Sequence, residues 1–118
     1  KKLVDYIAMD IKAPKDKYKK IIGKSVDFAK IKKSVKIIME SGLPHEFRTT
    51  MVPGLLDKND IVKIAKTIKG ARVWYLQQFK SDVDLVNGKL KGIKPFTVKD
   101  MEEMRRLAGR YVKKCEIR

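Results

Sequence analysis

The chain has 118 residues, 43% of them hydrophobic, with 29 Lys and Arg against 14 Asp and Glu, a formal net charge of +15. That length sets one domain, residues 1–118, as the expectation, and no apolar run is long enough for a membrane-spanning helix. The single cysteine, Cys115, excludes an internal disulfide and cannot hold an iron–sulfur cluster alone, because such clusters need several thiolates.

The opening segment runs almost directly into a strand-like stretch, so a piece of a longer protein is expected. No secretory signal is recognised, and sparse cysteine favours the cytoplasm. The stretch "LVDYIAMDI", Leu3 to Ile11, has apolar residues at both parities. It reads as a parallel strand covered on both faces, stopped by Pro14. A short helix, "PKDKYKKIIG", follows and is closed by Gly23. A longer helix comes next, with Phe28, Ile31, Val35 and Ile38 as its buried stripe. Ser25 or Asp27 caps its start, and Gly42 occupies the position for a left-handed residue after its end.

The second strand is "HEFRTTMV", His45 to Val52, with His45 read as a loop residue at its entrance. After the "PGLLD" loop, Asp57 and Asp60 form a capping-box analogue. They start a helix whose stripe is Ile61, Ile64, Ala65 and Ile68, and Gly70 closes it. "RVWYLQQF", Arg72 to Phe79, is the third strand. A loop of about fifteen residues follows, long enough to be functional in a compact domain. Thr97 caps the last helix, with Met101, Met104, Ala108 and Tyr111 facing inward, and "KCEIR" adds a short final strand. The order is α/β, three to four parallel strands alternating with helices, a half-barrel or a small open sheet.

Each strand carries polar residues. Asp10 and Lys12 share one face of the first strand, and Glu46, Arg48 and Thr50 one face of the second; Gln77 and Gln78 stand on opposite faces of the third. In parallel α/β folds ligands bind at the carboxyl ends of strands. The set suits a ligand with both amino and carboxylate groups: Arg48 to grip a carboxylate with its fork, Asp10 or Glu46 to take an ammonium or a ribose hydroxyl. The bland alternative is a buried ion pair between strands, Asp10 with Arg48 or Lys12 with Glu46. Ten lysines and two aspartates between Lys12 and Lys36 leave two further options open, a solvated surface or a face for nucleic acid. Sparse aromatic residues weaken the nucleic-acid option. Neither a Ser/His/Asp arrangement nor a metal-spaced His/Cys cluster nor a phosphate-binding glycine loop is found, so no catalytic or metal-ligating residue is assigned.

The motifs "DYIAMDIKAP", "EFRTTMVPGLLD" and "YLQQF", in this order, resemble the C-terminal half of radical SAM activating proteins. The resemblance points to the group known as anaerobic ribonucleoside-triphosphate reductase activating proteins, relatives of pyruvate formate-lyase activating enzyme. It covers Val4 to about Lys80. It implies half of a partial (β/α)6 TIM-like barrel, the fourth to sixth βα units. It also implies S-adenosylmethionine and a [4Fe–4S] cluster held by a Cys-x-x-x-Cys-x-x-Cys motif. Reductive cleavage of S-adenosylmethionine would then give a radical that takes hydrogen from a glycine of a partner, a glycyl radical enzyme such as anaerobic ribonucleotide reductase. Asp10 and Lys12 match the family's D-x-K at a strand end, and Arg48 matches an arginine that contacts the cofactor. Thr50, Gln77 and Gln78 join the set as expected cofactor contacts, the glutamines loosely, because pyruvate formate-lyase activators end that segment on histidine. The cysteine motif is absent, so the chain alone is expected to be inactive and to bind no cluster. A half-barrel leaves its first strand's edge open, which predicts self-association.

Overall fold

The computed structural model describes residues 6–22, 27–80 and 94–118; side chains of residues 19–22 lie outside it. The elements are β1 (Ile7–Asp10), α1 (Lys15–Ile22), α2 (Phe28–Glu40), β2 (His45–Met51), α3 (Lys58–Thr67), β3 (Trp74–Gln78), α4 (Val98–Ala108) and β4 (Cys115–Ile117). The four strands make one sheet in the order β1-β2-β3-β4, every neighbour parallel. This is the α/β alternation that the sequence predicts, compatible with part of a barrel. Gly23 and Ser25, and most of the long loop after β3, fall outside the described residues.

Local chemistry sets the start of three helices. Asp27, in extended backbone, accepts a hydrogen bond from the Ala29 amide and starts α2. The helix ends at Ser41, and Gly42 then takes φ +75°, a conformation that a side chain would strain. Asp57 and Asp60 exchange backbone bonds at the start of α3, a complete capping box. Thr97 caps α4 by accepting from the Asp100 amide.

The helices cover one face of the sheet. Phe47, Thr49, Met51, Trp74, Leu76 and Cys115 pack there beneath Ile61, Ile64 and Ala65 of α3 and Met101, Met104 and Ala108 of α4, all buried. Val35 and Ile38 bring α2 into the same core, with Phe28 and Ile31 half-buried at its margin. Tyr111 lies half-buried just beyond α4. One hydrogen-bonded chain links β3 and β2 to the residue after β1 inside this core: Trp74 Nε1 donates to Thr49 Oγ1 (3.0 Å), which donates to the Ile11 carbonyl (2.7 Å).

Two expectations are corrected here. Coverage on both faces of β1 does not hold: Ile7 and Met9 pack against the core, while Ala8 and Asp10 are exposed. The apolar residues at both parities mislead because Ala8, Tyr6 and Asp10 occupy the face that no helix covers. His45 is no loop histidine. It is the first residue of β2 and is buried. Its Nε2 accepts from the Arg72 amide and its Nδ1 meets the Leu43 carbonyl, so both nitrogens serve the structure.

Candidate functional site: the uncovered face of the sheet

Parallel pairing aligns residues of one parity across the strands. Asp10 stands beside Arg48, Arg48 beside Tyr75, Tyr75 beside Glu116, and Thr50 beside Gln77. The face away from the helices therefore carries Tyr6, Asp10, Glu46, Arg48, Thr50, Tyr75, Gln77, Glu116 and Arg118. A polar row of this kind is stable on a parallel sheet only where it meets water, a ligand or further chain.

The row divides into two groups. Towards the carboxyl ends of the strands, Arg48 Nε donates to Asp10 Oδ1 at 2.9 Å, and Thr50 Oγ1 donates to Gln77 Oε1 at 3.3 Å. The Asp10–Arg48 pair forms, but at the surface: its side chains are 49% and 34% exposed, so it is not the buried pair that the bland alternative supposed. Asp10 engages only Nε, which leaves the two terminal guanidinium nitrogens without a partner among the described residues. Gln77 uses its carbonyl oxygen on Thr50, and its amide hydrogens have no partner among the described residues. Donors of fixed direction thus stand next to a carboxylate on one uncovered rim.

Nearer the amino ends, Tyr6 donates its hydroxyl to Glu46 Oε1 at 2.7 Å, and Arg118 approaches Glu46 Oε2 at 3.6 Å. The Arg118 guanidinium also lies over the Tyr75 ring, 3.6 Å from its centroid. Glu46 is buried under these neighbours. Its hydrogen bond is the main cause that raises the Tyr6 phenol above its ordinary pKa. Glu46 therefore pairs with Tyr6 and Arg118, and the alternative pairing with Lys12 does not form.

Of the residues named from sequence, the structure brings Asp10, Arg48, Thr50 and Gln77 together. Lys12 is exposed just past the end of β1. Gln78 is separated from them: it lies on the helix side, where its Nε2 donates to the Phe96 carbonyl at 2.9 Å and its buried Oε1 has no partner among the described residues. Sequence reasoning missed Tyr6, Tyr75 and Arg118. Their parity matches Asp10, Gln77 and Glu116, but only the register shows that they share a face.

Cys115 sits on the helix side, and burial pushes its thiol up to about 12. Among the described residues no three His, Cys, Asp or Glu side chains gather as a metal site, and no helix is long and apolar enough to cross a membrane.

Fold and face together define an all-parallel α/β layer with one uncovered polar side. No family model matches the chain. It is 35% identical, over 99% of its length, to a protein of Methanocaldococcus jannaschii described as a "putative glycyl-radical enzyme activating enzyme". The chain spans about half of that relative, 50% of its length.

Proposed function

We propose that the chain is the C-terminal half of a radical SAM barrel and that its uncovered polar face binds S-adenosylmethionine within the whole protein. The whole protein would activate a glycyl radical enzyme, anaerobic ribonucleotide reductase being one example of that class. Two findings support the reading: the similarity to an activating enzyme along nearly the full chain, and the donor set at Arg48. The second carries it, since a guanidinium with an open fork beside a carboxylate on an uncovered parallel face fits a zwitterionic nucleoside.

The residues present fit one implied group and not the other. Arg48 would take the carboxylate of the methionine part, Asp10 its ammonium, and Thr50 and Gln77 neighbouring polar atoms. Lys12, at the end of β1, adds a cation at the rim. Gln78 would act from the helix side by holding the Phe96 backbone rather than by touching the cofactor. The [4Fe–4S] cluster has no ligands here: the one thiol is buried behind the sheet and held protonated at neutral pH. Its thiolates belong to another part of the protein, and this half alone is inactive. When bound to such a cluster, S-adenosylmethionine supplies the radical that activates the partner's glycine. This half binds and orients the cofactor.

The decisive experiment is calorimetric titration of S-adenosylmethionine into the full-length protein. Arg48→Ala should weaken binding by about tenfold or more, the scale of a lost charge-assisted pair. Unchanged affinity overturns the reading.

A further inference from the structure

The outer face of α2 is electrostatically reversed. Lys30, Lys32, Lys33 and Lys36 are all exposed, and among the described residues none has a carboxylate within ion-pair distance. Four lysines elsewhere pair with carboxylates: Lys17 with Asp60, Lys58 with Glu103, Lys63 with Asp16, and Lys114 with Glu116. The order of charge along α2 also opposes its dipole. Its first turn has no acidic residue and its last turn no basic one; Lys30 stands near the positive end and Glu40 at the negative end. The other helices of the core follow the favourable order, Asp60 then Lys66 in α3, Asp100 then Arg105 and Arg106 in α4. The Asp27 carboxylate at the N-cap sets one negative charge against the positive end, but within the helix itself four lysines stand against Glu40 alone.

An apolar side chain stands within this field. Ile37 is 60% exposed, one helical turn from Lys33 and next to Lys36. A row of cations around one exposed aliphatic residue has the anatomy of a protein interface, an apolar contact inside a charged rim. Nucleic acid would want aromatic platforms beside the cations, and α2 offers none on its exposed side. We propose that the outer face of α2 docks an acidic protein surface that bears an aliphatic residue for Ile37. It lies in the helix layer, on the other side of the sheet from Arg48.

The test uses three polymers as probes against the folded chain: poly-L-glutamate, a random copolymer of glutamate and leucine, and a single-stranded oligonucleotide. One variant carries Lys30→Gln, Lys32→Gln, Lys33→Gln and Lys36→Gln. A control removes the same charge from exposed positions outside α2 with Lys66→Gln, Lys69→Gln, Lys99→Gln and Lys113→Gln. The copolymer should bind most tightly. The α2 variant should lose about tenfold in its affinity, and the control no more than about twofold. Ile37→Ser should weaken the copolymer and leave poly-L-glutamate unaffected. Equal losses in the two lysine variants, indifference of the copolymer to Ile37→Ser, or no binding of either polypeptide overturns the proposal. So does tighter binding of the oligonucleotide through the same four lysines, since the face then serves nucleic acid. Circular dichroism on each variant separates lost binding from lost folding.

Discussion

Thr49 shows how one side chain couples strands that the backbone ladder already joins. Its hydroxyl accepts from the Trp74 indole and donates to the Ile11 carbonyl, and all three groups are buried. Thr49→Val keeps the shape and takes away the one hydroxyl that serves both Trp74 and Ile11. It should cost about 2 kcal/mol, read as a lower urea midpoint, because two buried polar groups lose their bonds. Thr49→Ser, which retains the hydroxyl, should cost less. Cys115 gives a second expectation at this scale. With its thiol raised to about 12 by burial, it should resist iodoacetamide in the native protein at pH 8 and react fully in denaturant. Rapid native alkylation would contradict the burial. Thr49 was readable only as a β-branched strand residue, since its bonds depend on which strands lie on either side.

At the scale of elements, α3 carries the clearest pH signature. Backbone hydrogen bonding from Asp60 is the main cause that holds the Asp57 carboxyl below its ordinary value. A lowered folded value means stability that is present above the usual carboxylate range and is lost as pH falls through the folded value. The carboxyls of Asp16, Glu102 and Glu103 are lowered by Lys63, Arg105 and Lys58 and act in the same direction. Lys17 works oppositely. Its hydrogen bond to Asp60 raises its ammonium above the ordinary value, so that contribution is complete below the usual lysine range and is lost as pH rises through the folded value. Urea midpoints should therefore hold across neutral pH, fall below about pH 4 and fall again above about pH 10.5. Asp60→Ala should lower stability at neutral pH by about 2 kcal/mol, through the cap and the lost partner of Lys17, and should flatten the alkaline arm.

Helix starts and stripes were legible in the sequence because they depend on near neighbours: Asp57 with Asp60, Thr97 with Asp100, Ile61 with Ile64 and Ala65. The polar groups of the site were legible strand by strand for the same reason. How they meet was not. Arg118 reaches Glu46 across β3, and Tyr6 reaches it from the other side, contacts fixed by register alone. The uncovered face was misread in β1 because Ala8 counts as apolar in a pattern yet needs no cover.

For the whole molecule, β1 is one of the two outer strands of the sheet, and its free side presents unpaired backbone groups among the described residues. Light scattering should show an average mass that rises with concentration as these edges pair; a strict monomer at high concentration would rule this out. The same arrangement gives the two sides of the sheet different optical reporters. Trp74 is the sole tryptophan and lies wholly in the helix layer, while its neighbour Tyr75 points to the opposite side under Arg118. Tryptophan emission will follow melting of the core yet stay almost blind to a guest at Arg48. Tyrosine absorbance, perturbed wherever Arg118 shifts from its ring, is the spectroscopic window onto that guest.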